Sequence, residues 1–430
     1  MSDHKENCKG CEEYNELSRR DFVGLSAGVV AAAIAPAWLP RVVYADSHSS
    51  TRDVMVSIFL RGGVDGLSMC VPFTEDEYYR LRPTQAVPQP DASGNFRAVD
   101  LDGFFGLPPS MQALKRVYDL GELLIVHACG LKDSNRSHFD AMHFMEVGRG
   151  NPPASLFTGW LGRHLAATAP TMKDAVLRGV GISFGLQRTL VGGPKTLPIN
   201  DLADFGFAGH GGTVKERQEI LRELYAASKG ILKDPAKDTF RTVKTLDRIK
   251  FDAYKPSGGA SYRDDEFGYA LRSTAALIKA DVGVEAVAID LGGWDTHDTQ
   301  GTLSGHMANL METLADSLDA FHRDLEADRV KNVITVAMSE FGRNVFENGS
   351  AGTDHGYGGI MMAMGTGIAG GRVLTKWPGL GDLFEDQDLR ITIDYRDVLA
   401  EILDKRMGNP DHRAVFPDPG FEPVVQGVTV

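Results

Sequence analysis

Short apolar runs alternate with amphipathic segments along most of the chain, and the two patterns predict different elements. The apolar runs lack polar alternation, which is typical of strands covered on both faces in a parallel sheet. They lie at 54–60, 123–128, 284–290, 332–338 and 359–364. Segments with apolar residues three and four positions apart predict helices. These lie at 110–120, 137–147, 302–326 and 396–406. The alternation of strand and helix predicts an α/β protein.

The middle of the chain, about 150–280, has a different character. It carries polar amphipathic segments that predict helices at 213–232, 237–252 and 265–280. A second stretch, 72–109, is rich in proline and turn residues and predicts a long surface excursion. We therefore interpret 46–430 as a single α/β domain with a helical insertion at about 150–280.

The first 45 residues are predicted to lie outside this domain. The pair Arg19-Arg20 precedes an apolar run from Phe22 to Ala35, and the stretch ends in Val43-Tyr44-Ala45, typical of a cleavage site. The pattern resembles a twin-arginine (Tat) export signal. An N-terminal helix with a chance arginine pair is the alternative, but the run is too short to span a bilayer. We expect the Tat export machinery as a partner and a periplasmic or extracellular mature protein, not an integral membrane protein.

The cysteines that the mature protein contains depend on cleavage of the predicted export signal. Cys8 and Cys11 form a C-x-x-C pair upstream of the arginines, and no second pair exists to complete a zinc motif. Only Cys70 and Cys129 remain after cleavage. An oxidising compartment permits a disulfide between them, and two buried thiols are the alternative.

The charge balance excludes one class of partner. The 45 basic and 58 acidic residues give a net charge of −13, and the 43% hydrophobic content is that of a globular protein. Such a charge repels polyphosphate chains, and no cluster of Lys and Arg offsets it, so we expect no nucleic-acid partner. Phosphate and sulfate esters remain compatible substrates, because a bound metal ion reverses the local field.

Candidate chemistry gathers where the predicted strands end, which is where open parallel sheets bind ligands. Acidic residues, histidines and a hydroxyl follow four of the strands. They are Asp65, Ser137 with His138, Asp295 with His297, and Asp354 with His355. Carboxylate oxygens and imidazole nitrogens together suit Zn²⁺, Mn²⁺ or iron. The set therefore predicts a metal site.

Two members of the set have an alternative interpretation. Asp65 lies in Gly-Gly-Val-Asp-Gly and is also typical of a simple turn. Ser137 begins a predicted helix, where a serine commonly caps the first turn. A hydroxyl at a helix N-terminus is also placed to attack a tetrahedral centre while backbone N–H groups hold the anion.

These residues carry a resemblance. The order of an Asp, a hydroxyl at a helix start, an Asp/His pair and Asp-His-Gly resembles the alkaline phosphatase and sulfatase superfamily. More closely, several motifs between about 53 and 408 are together similar to the Tat-exported domain-of-unknown-function family 1501. They are LRGGVDGLSMCVPF, RSHFDAMHFMEVG, GGWDTH, SEFGRN, GTDHGYGG, GTGIAGGRV and TIDYRDVLAEIL. The resemblance implies a three-layer α/β sandwich with a mostly parallel central sheet, and no particular reaction, because the family's reaction is unknown.

The superfamily resemblance also implies a ligand set. Asp65 would be a bridging ligand, Asp295 and His297 would bind one ion, and Asp354 and His355 would bind another. The implied cofactor is one or two divalent metal ions, zinc, manganese or another.

The same resemblance implies the catalytic groups. Ser137 would be the nucleophile, and Arg136 or Arg343 would clamp the non-bridging oxygens of the substrate. The sulfatase Cys-x-Pro-x-Arg signature is absent, so conversion of Ser137 to formylglycine is not implied.

The chain departs from the superfamily in its histidines. Alkaline phosphatases space the first Asp and His four apart, whereas Asp295 and His297 are two apart. The sequence leaves open whether His138, His306 or His412 completes the site.

Two functions remain at this point. The first is an exported metal-dependent hydrolase of phosphate or sulfate esters, acting on a small-molecule or glycan ester. The second is a catalytically silent exported binding protein of the same fold. The retained Asp/His pairs favour the first, and the incomplete ligand set favours the second.

Overall fold

The computed structural model describes residues 52–173, 175–203, 205, 211–227, 233–249 and 251–430, so the predicted export signal at 1–45 lies outside the described residues. The strands are β1 (Val54–Leu60), β2 (Val99–Asp100), β3 (Gly106–Leu107), β4 (Leu123–Gly130), β5 (Gly179–Gly181), β6 (Thr196–Pro198), β7 (Ala286–Leu291), β8 (Val333–Met338), β9 (Gly359–Met364), β10 (Arg372–Leu374) and β11 (Ile393–Asp394). The α-helices are α1 (Gly66–Met69), α2 (Asp76–Leu81), α3 (Lys115–Asp119), α4 (His138–Val147), α5 (Trp160–Ala167), α6 (Val214–Ala227), α7 (Lys233–Leu246), α8 (Glu266–Lys279), α9 (His306–Ala327), α10 (Tyr395–Lys405) and α11 (His412–Val415). Segments of 3₁₀ helix lie at Pro109–Leu114, Arg188–Leu190, Gly211–Thr213 and Phe251–Ala253.

Nine strands of the described residues form one central sheet. Its order is β10-β4-β9-β8-β1-β7-β5-β6, and β11 pairs with the end of β4. Strand β9 runs antiparallel to both β4 and β8, and the other pairs are parallel. The carboxyl ends of β1, β4, β7 and β8 and the amino end of β9 therefore meet at one edge of the sheet. The predicted α/β class with a mostly parallel sheet is confirmed.

Helices cover both faces of the sheet. Successive residues of β1 therefore alternate between two apolar cores, one on each face. Val56 and Ile58 pack on the face covered by α8 and α9, whereas Met55 and Phe59 pack on the face covered by α4, α5 and α10. This burial on both faces explains why β1 is a continuous apolar run. None of the helices in the described ranges is long and apolar enough to span a bilayer.

The segment predicted as a helical insertion, about 150–280, is not helical throughout. It contains α5 to α8, but it also supplies β5 and β6, which extend the sheet beyond β7. Strand β5 is only Gly179-Val180-Gly181, so it has no apolar run long enough to predict a strand from the sequence.

The two cysteines of the domain are buried and free. Cys70 packs in the core that contains Val56, and Cys129 packs in the core that contains Met55. Since those cores lie on opposite faces of the sheet, the structure favours two buried thiols over the disulfide.

Candidate metal centre

Asp295 lies among three histidines at the carboxyl edge of the sheet. Its Oδ1 is 3.0 Å from Nε2 of His297, 3.2 Å from Nε2 of His355 and 3.4 Å from Nε2 of His138. The ligand atoms of His138, Asp295 and His355 all lie within 4.8 Å of one another. Tetrahedral zinc ligands at their usual bond lengths stand about 3.4 Å apart. His138, Asp295 and His355 are therefore spaced for one metal ion, and together with His297 they are called the His–Asp cluster below.

The second ring nitrogen of each histidine is held by an acceptor. The acceptors are Glu340 Oε1 for His138 (2.9 Å), Asp354 Oδ1 for His297 (2.9 Å) and the carbonyl oxygen of Arg136 for His355 (3.0 Å). Metal-binding histidines typically donate their other N–H in this way, which fixes the ring and its tautomer. His138 Nε2 is buried and faces Asp295 Oδ1 at 3.4 Å. Both observations fit a cation at the His–Asp cluster.

Glu340 is a site residue that the sequence analysis did not select. Its buried carboxylate accepts from the Gly62 N–H (2.8 Å) and the Ser339 hydroxyl (2.8 Å) as well as from His138. Burial opposes the charged form, but the hydrogen bond from His138 outweighs it and lowers the pKa of Glu340. The sequence feature that could have identified Glu340 is an acidic residue just after an apolar strand. A carboxylate buried at that position needs a hydrogen-bonding or charged partner.

The protonation states differ between two histidines of the cluster. Burial opposes the charge on His138, but hydrogen bonds to Asp295 and Glu340 outweigh it and raise the pKa of His138 to about 9. Burial dominates at His355 and lowers its pKa to about 4. Near neutral pH, both ring nitrogens of His138 therefore carry a proton in the metal-free chain. A bound cation would replace the proton on Nε2.

Arg343 joins the loops around the cluster. It is 2% exposed and donates to Asp295 Oδ1 (2.7 Å) and to four carbonyl oxygens. These belong to Gly62, Gly63, Trp294 and Thr353. Three of these acceptors face Nη2, one faces Nε and one faces Nη1, so all three guanidinium nitrogens are engaged. Arg343 therefore holds the site loops in position, and its predicted role as a substrate clamp stays a prediction.

Arg136 is half-buried and paired. Its guanidinium forms ion pairs with Asp388, which is fully buried, and with Glu385 at 2.7 Å. A substrate anion would have to compete with both carboxylates for this side chain. The predicted clamping role of Arg136 stays a prediction.

The structure places Asp65 outside the His–Asp cluster. Its buried carboxylate pairs with Arg82 and accepts from Ser68 Oγ (2.6 Å) and Gln300 Nε2 (2.8 Å). Burial raises its pKa, but Arg82 and these donors outweigh burial and lower it. A buried guanidinium repels a metal ion at the same carboxylate. Asp65 is therefore one half of a buried ion pair, and its predicted role as a bridging ligand stays a prediction.

Ser137 directly precedes His138 at the N-terminus of α4. Its backbone is extended, as at a cap position, but its side chain makes no capping hydrogen bond. Its backbone N–H donates to Asn135 Oδ1 (2.7 Å). The hydroxyl is therefore not explained by capping, and its role as the nucleophile stays a prediction.

The structure separates the three histidines that the sequence left open. His138 is in the cluster, as described above. His306 is exposed and lies with Nε2 2.8 Å from the carbonyl oxygen of Gly293. His412 begins α11 and lies 3.4 Å from Glu422. Neither His306 nor His412 contacts the cluster through these atoms.

Gly62 lets two of the site loops meet. Its φ is +125°, and a Cβ there would lie 2.5 Å from the backbone nitrogen of Asp295. Any other residue would be strained and would push the Asp295 loop away from the end of β1.

The fold and the cluster together define an α/β protein with a candidate metal site at the carboxyl edge of its sheet. The chain belongs to the family of proteins of unknown function DUF1501, which it matches over residues 52–420. No curated protein matches the chain.

Several solved structures resemble the chain at low identity. One is the C-terminal periplasmic domain of EcEptC from Escherichia coli in complex with Zn, at 10% identity over 91% of this chain and 94% of that chain, with a TM-score of 0.35. Another is alkaline phosphatase from the Antarctic bacterium TAB5, at 11% identity over 74% and 93%, with a TM-score of 0.28. A third is the PH0037 protein from Pyrococcus horikoshii, at 13% identity over 82% and 96%, with a TM-score of 0.30. At these scores the chemistry of the cluster has to be inferred from its own residues.

Proposed function

We propose that the chain is an exported metal-dependent hydrolase of phosphate or sulfate esters, with a small-molecule or glycan ester as substrate. The observation that supports this proposal is the orientation of three histidines. Their Nε2 atoms face Asp295 Oδ1, and each Nδ1 is held by an acceptor. His138, Asp295 and His355 would hold one divalent ion, zinc or manganese, with His297 as a fourth contact. When bound, such an ion neutralises the charge of an ester and lowers the pKa of a hydroxyl beside it.

The chain's own groups would supply the attack. Ser137 Oγ would attack the phosphorus or sulfur atom and expel the alcohol, and water would then release the acid. The first N–H groups of α4 have no acceptor within the helix, so they would hold the anionic oxygens. Asp354 Oδ1 would keep the His297 ring oriented through its contact with His297 Nδ1 (2.9 Å).

A catalytically silent exported binding protein of the same fold is the second candidate, because one observation favours it. Two arginines that contact the cluster are already engaged, Arg343 by five acceptors and Arg136 by two carboxylates. A hydrolase of anionic esters normally keeps a cationic side chain available for the substrate.

Metal analysis of the full chain combined with ester turnover separates these candidates. We expect one ion per chain and hydrolysis of an aryl phosphate or an aryl sulfate. Activity should disappear on treatment with a chelator and return with zinc or manganese. Metal binding without turnover of either ester would favour the silent protein. A chain that binds no divalent ion would contradict both the hydrolase and its cofactor.

We also propose that the Tat machinery exports the chain, on the basis of Arg19 and Arg20. Changing both residues to lysine should leave full-length precursor in the cytoplasm, because Tat transport depends on the arginine pair. Arg41→Lys is the matched control, since it alters an arginine of the same segment outside the pair and should be processed normally. Cell fractionation with immunoblotting measures the location and the length of the protein for the double variant and for the control. Normal processing of the double variant would rule out this route.

A further inference from the structure

A buried amide connects two of the cluster loops, the loop that carries Asp295 with His297 and the loop that carries His355. Gln300 is fully buried between β7 and α9, and its side chain makes four hydrogen bonds. Nε2 donates to Asp65 Oδ2 (2.8 Å) and Thr302 Oγ1 (3.0 Å), and Oε1 accepts from Thr296 Oγ1 (2.9 Å) and Thr353 Oγ1 (2.7 Å). An amide has two donor and two acceptor positions. All four are therefore used.

The two threonines lie next to the cluster residues in sequence. Thr296 separates Asp295 from His297, and Thr353 lies two residues before His355. The backbones of the two loops also meet, because the Thr353 N–H donates to the Thr296 carbonyl oxygen (3.2 Å). One atom, Gln300 Oε1, thus ties both loops together from inside the protein.

The donor side of the amide is anchored to the core. Asp65 is an ionised partner of Arg82, so it only accepts, and this fixes which way the amide points. Arg82 in turn donates to the carbonyl oxygens of Asn344 (2.8 Å) and Val345 (2.9 Å), which follow Arg343. The amide is therefore held against a rigid ion pair and cannot rotate without breaking these bonds.

We propose that Gln300 is a positioning residue that sets the spacing of the two cluster loops, and that Asp65 acts on the site through Gln300 rather than as a metal ligand. The inference rests on the proposed metal site. In this inference Asp65 of the Gly-Gly-Val-Asp-Gly motif is neither a simple turn residue nor a metal ligand, but the anchor of Gln300. Outer partners of this kind typically change metal affinity about 10- to 100-fold when they are removed.

Two variants and a matched control test the proposal in the full chain. Gln300→Met keeps the volume and removes all four hydrogen bonds. Thr353→Val removes only one hydroxyl. Thr274→Val removes an equally buried hydroxyl in α8, where Thr274 donates to the Ala270 carbonyl oxygen (2.8 Å) away from the cluster. The measurements are the zinc dissociation constant by chelator competition, the absorption spectrum of the Co²⁺ form and the midpoint of thermal unfolding.

We expect Gln300→Met to weaken zinc binding about 10- to 100-fold and to alter the Co²⁺ spectrum. Thr353→Val should change the zinc affinity and the Co²⁺ spectrum in the same direction as Gln300→Met, but by a smaller amount. Thr274→Val should lower the unfolding midpoint about as much as Thr353→Val while leaving zinc affinity unchanged. Wild-type affinity and spectrum in both Gln300→Met and Thr353→Val would overturn the positioning role, as would an equal loss of affinity in Thr274→Val.

A metal-free crystal structure keeps this test separate from the proposed function. In Gln300→Met the distance between Nε2 of His297 and Nε2 of His355, 2.9 Å here, should change by more than the coordinate error. If the wild-type chain binds no zinc, the proposed function fails, and this distance alone decides the role of Gln300. An unchanged distance would overturn it.

Discussion

Replacing His355 with alanine should remove tight metal binding from the chain. The His355 ring is buried against His138, with ring centroids 4.3 Å apart, and its Nε2 faces Asp295 at 3.2 Å. No other donor of this loop reaches the same point, since Asp354 is turned to Nδ1 of His297. Loss of a ligand should exceed the roughly 10- to 100-fold loss that follows removal of an outer partner. Chelator competition and metal content after gel filtration measure the change.

His306→Ala is the matched control for His355→Ala. It also removes a histidine near the carboxyl edge of the sheet, but His306 is exposed and contacts the Gly293 carbonyl oxygen instead of the cluster. The control should keep wild-type affinity. If His355→Ala also kept it, the His–Asp cluster would not be the metal site. Thermal unfolding of both metal-free variants tests whether a loss of folding explains the result.

The fold was largely predictable because burial on both faces leaves a strong pattern in the sequence. The run 54–60 coincides with β1, and 359–364 coincides with β9. Strand β5 escaped prediction because it has three residues and two of them are glycine. The antiparallel direction of β9 was also hidden, because an apolar run says nothing about its direction.

The site was predictable only in part, because strand order decides which side chains meet. Asp295 and His355 were selected since charged residues after apolar strands serve packing poorly. The meeting of His138 with Glu340 requires β4 and β8 to lie on either side of β9, and that order is a tertiary fact. The sequence therefore pointed to the edge of the sheet where the His–Asp cluster lies, without giving the contacts.

Asp65 has a partner that the sequence analysis did not predict. Its partner Arg82 belongs to the excursion 72–109, which the sequence predicts to run over the surface. In the structure Arg82 is fully buried, and its guanidinium pairs with Oδ2 of Asp65. A local pattern cannot show where a long connection packs, so the sequence does not reveal the pairing of Asp65 with Arg82.

Replacing Ser137 with alanine should abolish ester turnover and leave the fold intact. Its side chain makes no capping hydrogen bond, so its loss should change the free energy of unfolding by less than about 0.5 kcal/mol. Removal of a nucleophile from a hydrolase, in contrast, lowers kcat by on the order of 10⁴- to 10⁶-fold. Steady-state kinetics on the aryl ester that the wild-type chain hydrolyses best, together with chemical denaturation, measure the two effects.

Ser110→Ala is the matched control for Ser137→Ala. Ser110 is also half-buried, and its hydroxyl has no hydrogen-bond partner, but it lies in the 3₁₀ segment Pro109–Leu114, which packs on the opposite face of the sheet from α4. The control should keep full activity. Zinc affinity should stay at the wild-type value in Ser137→Ala, because the hydroxyl is not one of the cluster ligands. If Ser137→Ala keeps its turnover, the attacking group is a water molecule rather than the serine, and the chain hydrolyses its ester in one step. If it loses zinc affinity together with turnover, Ser137 holds α4 and His138 in place, and the nucleophile has to be sought elsewhere at the edge of the sheet.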